Sequence, residues 1–122
     1  MTLYNLVKEL IIETTANRNT IMNIMDKKRI ASCNYYDEKE PEASGLRFIE
    51  IYGYGVSKAG NPVIRVYQLG GDTKTIQPGW KLFRVDRISD LKMLGGTFNE
   101  PRKLFNPNGD KEMTKIYNIV KF

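Results

Sequence analysis

Cations set beside aromatic rings are the residues of this chain whose types and spacing point most directly to chemistry. In Val63-Ile64-Arg65-Val66-Tyr67, strand alternation places Val63, Arg65 and Tyr67 on one face and Ile64 and Val66 on the other. In Trp80-Lys81-Leu82-Phe83-Arg84-Val85-Asp86-Arg87 the same rule sets Trp80, Leu82, Arg84 and Asp86 on one side and Lys81, Phe83, Val85 and Arg87 on the other. Arginine next to an aromatic face serves to neutralise phosphates and stack bases, each stacked base contributing ~1–3 kcal/mol. With Tyr54 and Lys58, these residues make a candidate groove for a nucleic acid or nucleotide-like anion. Lys58, Arg65, Lys81, Arg84 and Arg87 would meet phosphates, and Tyr54, Tyr67 or Trp80 would stack. A purely structural reading stands beside this one: Trp80 covers the end of the core, and Arg84 or Arg87 pairs with Asp86 or Asp90.

Other constellations are weaker. Asp86 and Asp90, or Glu50 with either, offer the oxygen ligands that magnesium takes. A nuclease would also need a base and a positioned water, so no metal site is expected. Gly53-Tyr54-Gly55 followed by Ser57-Lys58 lacks the spacing of a phosphate-binding P-loop and reads as a hairpin. Gly70-Gly71-Asp72 is a turn, with Lys74 and Thr75 in a basic loop after it. The chain has no histidine and one cysteine, Cys33. It therefore cannot build an intramolecular disulfide, a zinc site of the usual Cys/His type, or a Ser-His or Cys-His nucleophile pair. Cys33 reads as a small buried residue, and a lone cysteine fits a reducing compartment. No catalytic residue and no cofactor are expected.

The elements that must position these groups come from 122 residues, room for one domain, with 41% apolar and 27% charged residues, the profile of a chain that buries a core. Net charge is +5 and unevenly spread. Residues 1–44 hold 6 basic and 7 acidic side chains, and residues 45–122 hold 13 and 7, so the field that would concentrate a polyanion belongs to the second part. No stretch approaches the ~20 apolar residues of a membrane span, and no basic segment leads a long apolar core, so a soluble, untargeted protein is expected.

Leu3, Leu6, Val7, Leu10, Ile11 and Thr14 follow helical spacing behind Thr2, predicting a first helix over residues 2–15. Ile21, Ile24 and Met25 repeat that spacing from a cap at Asn19 or Thr20, predicting a second, ending near Lys28. From Arg29 the period changes to two, with predicted strands at residues 30–36, 47–55, 62–69, 80–86, 89–94 and 115–122. An acidic, proline-containing loop over 37–44 and a tight turn over 57–61 separate the first three. Residues 97–110, rich in Asn, Pro and Gly, read as a long surface excursion before the last strand. Many short strands with turns between them favour a small barrel.

Four segments resemble the WYL domain, a small barrel of the SH3 or Sm type found in bacterial regulators and phage proteins. Lys27-Lys28-Arg29-Ile30 with Tyr35-Tyr36 is similar to its entry strand. Arg47-Phe48-Ile49-Glu50-Ile51-Tyr52 is similar to its Arg-x-hydrophobic-Glu-Pro strand, with Ile51 in place of proline. Asn61-Pro62-Val63-Ile64-Arg65-Val66-Tyr67 stands where the family's Trp-Tyr-Leu strand belongs, without that tripeptide. Trp80-Lys81-Leu82-Phe83-Arg84-Val85-Asp86-Arg87-Ile88, with Leu91 and Leu94, resembles the Phe-Arg-Leu-Asp-Arg-Ile signature. The layout also resembles short stand-alone WYL-related proteins of tailed phages. The resemblance implies a phage origin, the cytoplasm of an infected bacterium or a virion as location, and non-enzymatic binding of nucleic acid or a nucleotide-like ligand.

The expected molecule is thus a single α+β unit. Two N-terminal helices (residues 1–28) pack on an SH3-like antiparallel barrel with an extra C-terminal strand (residues 29–122). Its expected partner is a nucleic acid or nucleotide-like anion. The alternative is a virion or assembly protein whose partner is another protein or a second copy, joined through Tyr4, Met22, Met25 or Phe122. A third expectation is the sequestering of a nucleotide signal of host defence.

Overall fold

The computed structural model describes residues 16–71 and 78–122. The helix predicted over residues 2–15, Tyr4, and the loop bearing Asp72, Lys74 and Thr75 lie outside them.

Among the described residues one α-helix, α1 (Arg18–Lys27), starts where Asn17 caps it, the Asn17 Oδ1 accepting the Thr20 amide at 2.9 Å. Its apolar residues Ile21, Ile24 and Met25 share a face by the i, i+3, i+4 rule and are all buried. At about 1.5–3 kcal/mol for each side chain fully removed from water, that face and not intrinsic propensity holds so short a helix. Lys28 ends it in the left-handed region (φ 48), its amide bonding back to the carbonyls of Ile24 and Met25.

Six antiparallel strands follow: β1 (Arg29–Tyr35), β2 (Gly45–Ser57), β3 (Pro62–Gly71), β4 (Gly79–Arg84), β5 (Ile88–Thr97) and β6 (Met113–Ile119). The hydrogen-bonded order is β4-β3-β2-β1-β5, with β6 also on β2. The 13-residue β2 is the hub, pairing β1 through residues 45–49, β3 through 47–56 and β6 through 53–57. Helix α1 packs against β1, β2 and β5. A core of Ala31, Cys33, Ile49, Ile51, Ile64, Val66 and Phe83 is buried with its apolar face.

The mostly antiparallel sheet with its helix agrees with the α+β class. No ladder joins β4 to β5 among the described residues, so the sheet is open where a closed barrel was expected. The β4 edge nevertheless approaches β1, the strand next to the other edge. The ring of Tyr35 on β1 stacks on Phe83 of β4 at 4.0 Å, and the Tyr36 amide donates to the Arg87 carbonyl at 3.0 Å. Every strand differs from its predicted limits by one to three residues at one end or both. β2 starts two residues earlier than predicted, β4 stops at Arg84 because Val85–Arg87 winds into a 3-10 turn, and β6 stops at Ile119.

Candidate functional site

Tyr52 is the hinge of the site. The β2–β3 register runs Ile51 to Val66 and then Gly53 to Arg65, so Tyr52 is the extra residue of a bulge. Strict alternation would have set Glu50, Tyr52 and Tyr54 on one face. The bulge instead leaves Glu50 opposite Tyr67 and turns Tyr54 to the face of its partner Ile64. Tyr54 is consequently buried against Tyr117, centroids 5.0 Å apart, and is not available to stack on a ligand. Burial pushes its phenol upward in pKa, against the pull of Arg18.

On the other face, Tyr67 of β3 and Trp80 of β4 are register partners and meet edge to face at 5.4 Å. Tyr52 meets Trp80 at 4.8 Å and Phe98 and Phe105 at 5.1 Å each. The segment between β5 and β6 is mostly exposed, as expected of a surface excursion, but lies across this aromatic face through Phe98 and Phe105. It is fastened by side chains that the sequence alone does not bring together. The Arg102 guanidinium donates to both Glu50 oxygens, at 3.0 and 2.9 Å, and sits 4.8 Å over the Tyr67 ring. The Tyr52 hydroxyl donates to Glu50 at 2.9 Å and accepts the Arg102 amide at 3.3 Å. Trp80 Nε1 donates to the Lys103 carbonyl at 2.9 Å. Burial first, and then the Glu50 bond, push the Tyr52 phenol far above its ordinary range, so it is a neutral donor.

Arg65 completes the fastening. Its Nε and Nη2 donate to the two oxygens of Asp110 at 2.7 and 3.1 Å. Asp110 Oδ1 also accepts the Glu112 amide at 2.9 Å. Burial alone would push the Asp110 carboxyl up. The Arg65 fork, the Glu112 amide and Lys111 outweigh it, and the net shift is downward. Between the segment and the sheet remains a cleft of about 440 Å³, lined by Tyr52, Arg65, Trp80, Phe105, Asp110 and Lys111 among others.

The sequence-derived candidates therefore separate. Arg65 and Trp80 line the cleft, and Tyr67 supports Trp80 from beneath Arg102. Arg84 is held by Asp86, Nε to Oδ1 at 3.0 Å and Nη2 to Oδ2 at 2.5 Å, as the structural alternative had it. Arg87 pairs with Glu38 of the acidic loop and not with Asp86 or Asp90. Lys58 is exposed in the β2–β3 turn and Lys81 is half-buried on β4, and neither lines the cleft. The three carboxylates once grouped as metal ligands are engaged separately, Glu50 with Arg102, Asp86 with Arg84, and Asp90 with the Asn34 amide. Cys33 is buried, its thiol pushed up to about 12 by burial against the opposing influence of Arg47.

Tyr52, Phe105, Asp110 and Lys111 are among the cleft residues missed in the sequence. Phe98 and Phe105, apolar residues within an Asn-, Pro- and Gly-rich stretch, were the signal that this segment returns to the core. Chemically the cleft offers an aromatic wall, a guanidinium fork and a lysine within one small volume, the groups that hold an anion attached to a flat ring. No protein-family model, curated protein or solved structure matches the chain.

Proposed function

We propose that the protein is a non-enzymatic binding module for a nucleic acid or nucleotide-like anion, with the ligand's ring against Trp80 and its anion at Arg65. The cleft carries this reading, because it sets both groups on one wall of about 440 Å³. That volume lies within the roughly 300–1,000 Å³ typical of small-molecule sites and favours a nucleotide over an extended polymer. Such a ligand would also suit a protein that sequesters a nucleotide signal. The WYL resemblance belongs to the same proposal, with an SH3-like barrel and a phage-infected bacterium as its setting. The Tyr35–Phe83 stack and the Tyr36–Arg87 bond, which bring β4 and the turn after it against β1, support the barrel.

Trp80 is the chain's single tryptophan, so its fluorescence reports the cleft directly. Titration with mononucleotides and with labelled single- and double-stranded oligonucleotides, over a salt series, tests the reading. Saturable binding with a Trp80 response, weakened in Arg65→Lys because an ammonium lacks the planar fork, is expected. No binding at low salt by any of these ligands sinks it.

Assembly through protein contacts is the second reading. Leu104 favours it, being 93% exposed at the lip of the cleft in the left-handed region (φ 72), as do the exposed Ile116 and Phe122. Of the residues first associated with assembly, Met25 is instead buried on the inner face of α1 and Met22 is packed against the core. Light scattering distinguishes the readings, since a defined oligomer without added ligand supports assembly.

A further inference from the structure

The Arg65 fork that would receive a ligand's anion already holds one, the carboxylate of Asp110. We infer that Asp110 is a resident competitor for that fork, so that residues 98–112 are an autoinhibitory latch whose Asp110 end a phosphate monoester releases while its Arg102 end stays fastened. The inference rests on the anion-binding reading above and concerns how that site is regulated.

Geometry sets the two fastenings apart. The Glu50 carboxylate of the Arg102 fastening is 2% exposed and also takes the Tyr52 hydroxyl, so its release would strand a buried charge. The Asp110 fastening lines the cleft itself, with Arg65 23% and Asp110 11% exposed at the side chain. An incoming anion therefore meets Asp110 and not Glu50. A phosphate monoester carries about −1.5 to −2 charge and three acceptor oxygens, against one charge and two oxygens on Asp110, so it is the stronger partner for a guanidinium fork. Lys111, beside Asp110 on the cleft wall, supplies a second cation to the phosphate. While Asp110 is in place it both occupies the donors and repels the anion. Only the fraction of molecules with the fork open is competent to bind, and apparent affinity falls by that fraction.

Asp110→Asn separates charge from shape. The asparagine oxygen still accepts the Glu112 amide, so the turn into β6 is retained while the ion pair is lost. The four ribonucleoside 5′-monophosphates and their nucleosides are titrated separately into wild type and the variant. The variant is expected to bind at least one monophosphate about tenfold more tightly, with nucleoside affinity unchanged. In wild type, hydrogen exchange at residues 106–112 is expected to speed up when the monophosphate saturates the site, a reading that does not require the variant to fold. Equal or weaker monophosphate binding by a folded variant, or slower exchange across 106–112 in saturated wild type, overturns the latch and leaves the binding reading standing. Failure of both proteins to bind any monophosphate overturns the latch, and only failure with the oligonucleotides as well overturns the binding reading.

Discussion

Arg102 and Glu50 are unequal partners in their ion pair. Arg102 is 44% exposed at the side chain and can turn to water, whereas Glu50 is 2% exposed and cannot. Arg102→Ala is therefore expected to cost more than Glu50→Gln, on the order of 3 kcal/mol, because it abandons a buried carboxylate. Chemical denaturation of the two variants checks the order, and a larger loss in Glu50→Gln would contradict it. Asp110 gives the chain an acid sensitivity. Its folded carboxyl titrates below the ordinary 3.8, so its stabilising contribution is complete above that value and is lost as pH falls through the lower folded value. Melting temperature followed downward from pH 6 is expected to fall further in wild type than in Asp110→Asn, and parallel curves would remove Asp110 as the cause. Arg84 lies outside the cleft and pairs with an exposed Asp86. Arg84→Ala is expected to leave the melting temperature and mononucleotide affinity unchanged. Weakened mononucleotide binding would move the ligand out of the cleft and onto the β4 end.

Strand β2 carries consequences that no single side chain does. Its first half pairs with β1, its second with β6, and most of its length with β3. Where β6 docks, Gly55 allows an approach that no side chain could share. A Cβ there would lie 2.2 Å from the Lys115 carbonyl oxygen and 2.8 Å from the Met113 sulfur. Gly55→Ala is expected to lift β6 from the sheet. Amide exchange at residues 113–119 would then rise much more than in β1 or β3, and uniform protection in all three would refute this. The Tyr52 bulge acts in the same strand, and its effect was invisible to period-two reading. A pattern of alternating residues does not reveal where one residue is inserted, and each bulge reverses the facing of everything beyond it. Tyr54 was misplaced for that reason, and Tyr52, the inserted residue itself, faces the cleft in its stead.

For the molecule as a whole, net charge and cleft size pull toward different ligands. A charge of +5 suits a polyanion, whereas a cleft of about 440 Å³ suits one nucleotide. Counterion release decides between them. A polymer lying across many cations loses affinity steeply with salt, with a slope of about 0.7 per phosphate for single strands, whereas a ligand held at Arg65 and Lys111 engages few charges. The cleft reading predicts a shallow salt slope and an affinity that does not grow with oligonucleotide length. A slope that rises with length would place the ligand on the outer surface.

The class of fold was legible because it depends on local patterning. Apolar spacing at Ile21, Ile24 and Met25, the change of period at Arg29, and the turn residues between strands each act over a few neighbours. The absence of histidine and the single cysteine limited the available chemistry equally directly. Tertiary structure decided which charges met. Arg65 and Asp110 are 45 residues apart and Glu50 and Arg102 are 52 apart, so no local rule pairs them. It also covered the aromatic face. Phe98 and Phe105 draw residues 98–112 back onto Tyr52, and burying those rings together outweighs the solvation of a polar segment. An expected open groove became a cleft whose guanidinium is already paired with Asp110.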